Sequence, residues 1–365
     1  MANKTARLGD LASYINGYAF KPADWGDTGL PIIRIQDLTG NSYQLNRYDG
    51  EYPERIEVND GDVLISWSAS LGVYVWQRGK ALLNQHIFKV VFDKLPVNKD
   101  YFVFAVEHKL AEMESKTHGA TMKHIVKKDF DGTTIPYPPI EKQAEIAGHL
   151  RRITSLIDRQ TEQLLLLDQL VKSRFIELFG DPVTNPYGWQ QLTVNDVCVS
   201  IVRGPFGSAL KKEFFVPPSD TTYKVYEQKH AIQKSSTIGT YYVTAEKYNE
   251  LRRFECHSGD ILMSCSGTMG ELYQLPAGCE RGIINQALCK FTLNERILPI
   301  AFLAYMRETI GNLETKGSGI QNIAAVSYVK AMPINLPPMR VQEQFAAFVE
   351  QTDKSKLCGK MEVAA

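Results

Sequence analysis

Two short polar segments of this 365-residue chain carry side chains suited to contact nucleic acid. The first lies between Lys116 and His124, and the second lies between Lys316 and Asn322. Glycine permits close approach of the backbone, and lysine, hydroxyl and amide groups can donate hydrogen bonds to phosphates or base edges. A solvated loop is the alternative interpretation, but the occurrence of the segment in two copies favours binding. The candidate DNA-contacting residues are Lys116, Thr117, His118, Thr121, Lys123, His124, Lys316, Ser318, Gln321 and Asn322.

A third basic segment, which also contains glycine, adds Arg203, Lys211 and Lys212 to these candidates. The whole chain is neutral, because 41 Lys and Arg residues balance 41 Asp and Glu residues. A neutral total argues mildly against nucleic acid as a partner, since basic surfaces bind phosphates best. Net charge averages over all faces, however, so a basic loop is compatible with a neutral chain.

The sequence contains no recognisable motif for catalysis or metal binding. The patterns GxxxxGK[ST], GxGxxG, GxSxG and HExxH do not occur. Asn335–Pro338 is only weakly similar to the Asn-Pro-Pro-aromatic motif of amino-methyltransferases, and proline at a helix start explains it better. Cys256, His257 and Cys265 are too loosely spaced for a zinc site. We therefore predict no catalytic residue, no metal ion and no cofactor in this chain.

An internal repeat places the polar segments in two similar units. Four phrases recur in the same order, 198 to 201 positions apart, which indicates a tandem duplication. Asp62 and Asp260 follow glycine in both copies, and we predict that they form turns by accepting hydrogen bonds from nearby backbone amides. The recurring pairs are Gly61–Gly72 and Gly259–Gly270, Leu82–Lys89 and Ile283–Lys290, Thr117–Gly119 and Thr315–Gly317, and Pro138–Gln143 and Pro337–Gln342.

Each unit begins with a mostly β region. Short runs of β-branched and aromatic residues are separated by turn residues, and they include Pro31–Ile35, Asp62–Ser66 and His86–Phe92. Short helices are expected over Tyr101–Glu114 and Leu298–Glu308. These patterns predict an α+β fold for each unit, with a curved β-sheet as its core.

A long helix is predicted between the two β regions. Proline is absent from Ile140 to Phe179, and Gly180 and Pro182 follow the segment in the way that helices commonly end. Apolar residues recur at steps of three, four or seven, which is typical of a helix that packs on another helix. We interpret this face as a docking surface for another helix and for partner subunits rather than as ordinary core. Its residues are Ile146, Leu150, Ile153, Ile157, Leu164, Leu167, Val171 and Leu178.

A second copy of this helix begins at Met339–Val349 and loses its apolar pattern before Ala365. The repeat therefore predicts a second helix that is apparently truncated. The predicted organisation is a first α+β domain over residues 1–137, a long helix over 138–181, a second such domain over 182–337, and a short helical region over 338–365.

The expected location is the cytoplasm, with no membrane partner. No apolar run has the length of a membrane span, and the first residues lack the apolar core of a signal peptide. All six cysteines lie at or beyond Cys198, which indicates free thiols in a reducing compartment.

Several of these phrases resemble the specificity subunits of Type I restriction–modification systems. They are the repeated Gly-Asp-apolar-apolar-x-Ser strand, the repeated Asn-Gln strand, the two Pro-Pro helix starts and, most specifically, Ser173–Pro182 at the end of the long helix. Together these phrases extend over nearly the whole chain. The resemblance implies two target-recognition domains that each read one half of a split DNA sequence, separated by two long antiparallel helices.

The resemblance also implies that catalysis belongs to partner subunits. The helical regions would dock two methyltransferase subunits, in which S-adenosylmethionine is the expected cofactor, and a motor–nuclease subunit would join them on double-stranded DNA. The short second helix departs from the family pattern and is compatible with either a truncated chain or completion by another copy. A self-sufficient DNA methyltransferase and a non-specific coiled-coil scaffold are the alternative functions.

Overall fold

The chain folds into two compact units, Met1–Asp158 and Arg159–Ala365. Each unit combines short β-strands with helices, so the predicted α+β fold class is confirmed. The structure, a computed structural model, describes residues 4–41, 45–116, 125–314 and 326–364.

The first unit consists of short strands followed by longer helices. Its described strands are β1 (Thr5–Arg7), β2 (Ser13–Asn16), β3 (Leu30–Ile33), β4 (Arg47–Tyr48), β5 (Glu57–Val58), β6 (Val63–Ser66), β7 (Gly72–Val75), β8 (Ala81–Leu83), β9 (Ile87–Val91) and β10 (Thr134–Pro136). Its described α-helices are α1 (Leu8–Leu11), α2 (Ile35–Leu38), α3 (Lys99–Lys116), α4 (Lys127–Gly132) and α5 (Ile140–Phe179), the last of which continues into the second unit.

The second unit repeats this order of elements. Its described strands are β11 (Gln190–Thr193), β12 (Cys198–Arg203), β13 (Tyr223–Tyr226), β14 (Tyr242–Val243), β15 (Glu255–Cys256), β16 (Ile261–Ser264), β17 (Leu272–Gln274), β18 (Gly282–Ile284), β19 (Leu288–Leu293) and β20 (Pro333–Leu336). Its described α-helices after α5 are α6 (Gln228–Ile232), α7 (Ala245–Glu250), α8 (Pro299–Glu314), α9 (Val326–Lys330) and α10 (Met339–Ala364).

The two units have the same sheet topology. An antiparallel sheet has the strand order β2-β9-β6-β7 in the first unit and β12-β19-β16-β17 in the second. A mixed sheet has the order β4-β3-β8-β5 or β14-β13-β18-β15, and its central pair is parallel in both units. A terminal pair, β1 with β10 or β11 with β20, completes each set. The prediction of two similar domains is therefore confirmed.

The repeated Gly-Asp phrase forms a strand that is buried on both faces. Successive side chains of a strand point to opposite sides, so one strand can contribute to two cores. Val63 and Ile65 face a core beneath the antiparallel sheet, whereas Leu64 faces the core of the mixed sheet. Strand β16 divides residues 261–263 in the same way. This double burial explains why the phrase contains consecutive apolar residues.

The two aspartates of this phrase form turns, as the sequence predicts. Asp62 Oδ2 accepts a hydrogen bond from the Asn59 backbone amide at 2.9 Å. Asp260 Oδ2 accepts one from the His257 amide at 2.8 Å. Both carboxylates therefore fix the backbone before a buried strand and need no catalytic explanation.

Some predicted element ends are wrong by a few residues. The run expected as a strand to Ile35 ends at Ile33, and Ile35 begins helix α2. The cause is Asp37, whose Oδ2 accepts a hydrogen bond from the Arg34 amide at 2.8 Å, because such a contact favours the first turn of a helix. Helix α3 extends beyond the expected Tyr101–Glu114, and α8 extends well beyond Glu308.

Helix α5 forms over the whole predicted span from Ile140 to Phe179. Its start is held by Gln143, which is fully buried. The Gln143 side chain accepts a hydrogen bond from the Asn98 amide at 3.0 Å and donates one to the Pro138 carbonyl at 2.8 Å. These contacts connect the start of α5 to the segment that precedes α3.

Helix α10 begins with the same arrangement. Gln342, which is also buried, accepts from the Leu298 amide at 2.8 Å. It donates to the Pro337 and Arg296 carbonyls, both at 3.0 Å. The repeated glutamine is therefore a structural residue that satisfies otherwise unpaired backbone groups.

Replacing Gln342 with leucine should lower the free energy of unfolding by about 2–4 kcal/mol, because buried backbone groups lose their partners. The control is Gln344→Leu, two residues along the same helix, where the side chain is exposed. Urea unfolding of the full chain measures both changes. Equal stability of the two variants would contradict a structural role for Gln342.

Helix α10 runs antiparallel to the second half of α5. The rings of Phe175 and Phe179 lie 5.8 and 5.4 Å from the ring of Phe345. Further along, Lys356 Nζ lies 2.7 Å from a carboxylate oxygen of Asp168. The predicted antiparallel second helix is thus confirmed, and it continues to Ala364 although its apolar pattern fades, since lysine, methionine, glutamate and alanine favour helix.

The face of α5 that was predicted to dock partners is only partly covered. Leu150, Ile153 and Ile157 are exposed, and the other five predicted residues are half-buried. The buried aromatic residues of the last two turns, Phe175 and Phe179, lie outside the predicted seam. Within the described residues, no helix has both the length and the hydrophobicity that crossing a membrane requires.

Candidate nucleic-acid interface

Three segments meet at one end of the antiparallel sheet in the first unit, where strands β2 and β6 finish. They are the end of β2, the turn between β6 and β7, and the Asn-Gln turn, defined as residues 84–86. The Gly17 amide donates a hydrogen bond to the Ile87 carbonyl at 3.2 Å, and the Trp67 amide donates to the His86 carbonyl at 3.3 Å. These two bonds align the three segments. We call this end of the sheet, formed by the three segments, the sheet edge.

The residue that follows one predicted DNA-contacting segment lies at this edge. The Ile125 amide donates to the Trp67 carbonyl at 3.0 Å. Residues 117–124, which immediately precede Ile125, lie outside the described residues. They include the candidates Thr117, His118, Thr121, Lys123 and His124. Lys116 is the last residue of α3. The hydrogen bond of Ile125 therefore places Ile125 itself at the sheet edge.

The second unit forms the same edge. The Gly204 amide donates to the Leu288 carbonyl at 3.0 Å, and the Cys265 amide donates to the Ala287 carbonyl at 2.8 Å. Its Asn-Gln turn comprises residues 285–287. The candidates Lys316, Ser318, Gln321 and Asn322 lie outside the described residues.

Each edge depends on a glycine where two backbones touch. A Cβ atom at Gly17 would lie 2.0 Å from the Asn84 carbonyl oxygen, and one at Gly204 would lie 1.9 Å from the Asn285 carbonyl oxygen. Both distances are far below any non-bonded contact, so only glycine allows the end of β2 or β12 to approach its Asn-Gln turn.

The turn between β6 and β7 is also duplicated. Ser66 Oγ donates to the Ser70 carbonyl at 2.5 Å, and Ser264 Oγ donates to the Thr268 carbonyl at 2.6 Å. The tip residue has a positive φ in both units, 60° at Ala69 and 61° at Gly267. The two edges therefore share their backbone geometry.

Of the third predicted segment, Arg203 lies at the edge but not in a loop. It is the last residue of β12 and is mostly buried. Its Nε donates to the Gln286 carbonyl at 3.4 Å, and its guanidinium lies 5.1 Å from the centre of the Phe206 ring. The strand continues to Arg203 because β12 pairs with β19 as far as Cys289.

Lys211 and Lys212 follow in an exposed segment beyond Phe206. Lys211 lies 3.6 Å from Glu213. Lys212 borders a surface depression that Phe215 and Tyr241, whose rings stack at 4.5 Å, also line. Cations beside half-buried aromatic rings that line a surface depression are suited to contact a nucleic-acid backbone and its bases.

Sequence reasoning missed the exposed aromatic residues beside each shared glycine. Tyr18 is 45% exposed and Phe206 is 63% exposed. In the sequence they can be found only by position, one residue after Gly17 and two residues after Gly204, once the two copies are aligned through their strands.

A family model describes this duplicated architecture. The Type I restriction modification DNA specificity domain matches residues 2–167 and again residues 186–359, so nearly the whole chain is matched. The chain belongs to this family. The resemblance inferred from the sequence is confirmed, and the two units are from here on the first and second specificity domains.

Similar proteins of known name are specificity subunits. The chain is 29% identical over 168 residues to the Type I restriction enzyme EcoBI specificity subunit of Escherichia coli, which covers 45% of this chain and 35% of that protein. It is 25% identical over 198 residues to the MjaVIII specificity subunit of Methanocaldococcus jannaschii, covering 53% of this chain and 46% of the relative. The matches therefore span less than half of each relative's length.

Solved structures share the fold. The S subunit of a Type I restriction-modification system from M. genitalium matches with a TM-score of 0.57 at 13% identity, covering 99% of this chain and 92% of that one. A chain from a structure concerned with complex assembly and conformational transition of the type I R-M system matches with a TM-score of 0.59 at 16% identity, with the same coverage.

The two specificity domains differ in the residue that caps the short helix near the edge. In the first domain this residue is Asp37, and in the second it is His230, which is fully buried. His230 Nδ1 accepts from the Glu227 amide at 2.8 Å, and Nε2 lies 2.8 Å from the Ile238 carbonyl. Since a carbonyl only accepts, Nε2 carries the proton of a neutral ring. Burial lowers the pKa of His230 below its ordinary value of 6.5.

The second domain should therefore lose stability as the pH falls below about 6.5, because the unfolded chain then binds a proton that the folded domain excludes. Above that pH the contribution of the neutral ring is fully present. Thermal unfolding between pH 7.5 and 5.5 measures the loss, and His230→Asn should remove part of it. The exposed His108→Asn is the control, and a pH dependence that His230→Asn leaves intact would contradict the assignment.

Proposed function

We propose that this chain is the DNA-recognition subunit of a Type I restriction–modification complex. Each specificity domain reads one half of a bipartite, asymmetric DNA site through its sheet edge and its polar segment, residues 116–124 or 316–322. Membership of the specificity-domain family and the presence of two domains with the same sheet topology support this function.

The observation that carries the proposal is one backbone framework bearing different side chains. The two edges have the same strand topology, a glycine at the same close contact and the same turn geometry. The side chains differ: the exposed aromatic residue is Tyr18 in one domain and Phe206 in the other, and the half-buried His86 is replaced by the half-buried Ala287. Because different donors and acceptors match different base edges, the two domains recognise different half-sites.

Adenine methylation and DNA cleavage are assigned in this proposal to partner subunits. The complex comprises two methyltransferase subunits, which hold S-adenosylmethionine, and a motor–nuclease subunit. Exposed leucines of α5, among them Leu165, Leu166 and Leu170, support docking of a protein, since soluble chains rarely leave such residues uncovered together. We place the complex in the cytoplasm, where it meets genomic DNA.

Methylation mapping tests the function. The chain is expressed with its methyltransferase subunit, and modified adenines are located by long-read sequencing with and without the chain. We expect one bipartite sequence to be methylated only when the chain is present. Methylation that ignores the chain, or methylation by the chain alone, would contradict the proposal; the second result would indicate a self-sufficient methyltransferase.

A further inference from the structure

The two Asn-Gln turns expose the same side chain at the same place. Gln85 and Gln286 are both exposed at the sheet edge, each between two buried strands. Neither side-chain amide has a hydrogen-bond partner within the described part of the chain. No contact within the described residues therefore explains why the same exposed amide occurs at this place in both units.

The backbone under Gln85 is held on two sides. The Asn84 amide donates to the Ile33 carbonyl at 3.1 Å, which ties the turn to the mixed sheet. The Gln85 amide donates to the Tyr18 carbonyl at 2.9 Å, which ties it to the end of β2. The side chain therefore extends from a rigid base.

The backbone under Gln286 is also held on two sides, in one case by a side chain. The Asn285 amide donates to the Tyr226 carbonyl at 2.9 Å. The carbonyl of Gln286 accepts from Arg203 Nε at 3.4 Å. Both turns thus present a side-chain amide that loses little conformational freedom of the backbone when it binds a partner.

We propose that Gln85 and Gln286 donate equivalent hydrogen bonds from Nε2 to the sugar–phosphate backbone of DNA. This inference rests on the proposed function. Two half-sites of different sequence have the phosphodiester backbone in common, so an identical donor fits a contact that carries no sequence information. The neighbours of the glutamines, which differ between the domains, fit base recognition.

The test uses the full chain and two duplexes, one selected by the chain from a random pool and one of random sequence. Gln85→Ala and Gln286→Ala should each weaken binding to both duplexes by about tenfold, the scale of one hydrogen bond to a charged group. The dependence of log K on log salt should keep its slope, because an uncharged donor releases no counterion. Gln77→Ala, an exposed position at the opposite end of the same sheet, should match the wild type.

Lysine at the same positions separates a phosphate contact from a base contact. Gln85→Lys and Gln286→Lys should restore affinity and steepen the salt slope by about 0.9, since lysine replaces the amide at a phosphate and adds one charge. A base contact would not be restored, because lysine cannot reproduce the paired donor and acceptor of glutamine.

Three results would overturn the inference. The first is loss of binding on the selected duplex alone, which would indicate base recognition. The second is unchanged DNA binding with a weakened complex with the methyltransferase subunit, which would indicate a protein contact. The third is wild-type behaviour in every assay. The proposed function fails separately, if the wild-type chain selects no sequence at all.

Discussion

On the proposed function, replacing Gly17 with alanine should weaken recognition of one half-site by at least about tenfold and leave the other intact. The new Cβ would lie 2.0 Å from the Asn84 carbonyl oxygen, and neither backbone can rotate away as a side chain could. The end of β2 must therefore separate from the Asn-Gln turn. Every hydrogen bond to a base that this shift breaks weakens discrimination by about 1–3 kcal/mol, so binding to that half-site falls by at least about tenfold. The strain itself lowers the stability of the first domain by about 1–3 kcal/mol.

Gly132→Ala is the matched control, because nothing lies within 4 Å of its added Cβ in the same domain. The measurement is methylation of variant DNA sites in which one half or the other has been changed. Gly17→Ala should tolerate changes in a single half-site, and Gly204→Ala should tolerate changes in the other half. If either variant relaxed both halves equally, separate recognition by the two domains would be refuted.

Phe345→Ala should lower the stability of the second domain by about 3–5 kcal/mol. The Phe345 ring is fully buried and packs edge-on against Phe175 and Phe179 of α5. Removing a buried aromatic ring leaves a cavity among side chains that cannot collapse to fill it. This loss is a large fraction of the free energy that keeps an ordinary domain folded. The contact between α10 and the second half of α5 should open first.

Phe348→Ala provides the comparison, because the Phe348 side chain of the same helix is only half-buried. The guanidinium of Arg174 lies 5.7 Å from the centre of its ring, a surface interaction worth about 0.5–1 kcal/mol. Urea unfolding followed by tryptophan fluorescence measures both variants. Similar midpoints for the two variants would show that the aromatic cluster does not hold the helices together.

Features that repeat along the chain were the ones that sequence reasoning could predict. Comparing the two copies reveals the strand within Gly61–Gly72 and the turn role of Asp62. The absence of proline and the apolar periodicity predict the long helix from Ile140 to Phe179. Each of these depends on local chemistry, such as an aspartate that accepts a neighbouring amide or a span without proline. Local chemistry is visible in the order of residues.

Contacts between distant segments were harder to predict. In the sequence, Gln143 stands out only as part of a repeated phrase, yet its buried side chain accepts a hydrogen bond from the Asn98 amide. The heptad pattern of α5 consists of aliphatic residues. It therefore does not predict the aromatic cluster of Phe175, Phe179 and Phe345. A side chain's partner depends on how elements pack, and periodicity alone does not specify that packing.

The sequence by itself determined that the chain is a doubled unit of α+β type, joined by a long helix and lacking the motifs of common catalytic sites. Duplication and periodicity are properties of residue order, so no coordinates are needed to detect them. Only the tertiary structure decided that Gly17, the β6–β7 turn and Gln85 share one edge, and that Gly204 and Gln286 share its counterpart. The reason is that these residues are brought together by strand pairing across dozens of intervening positions, and the register of that pairing is set by the cores on both faces of each sheet.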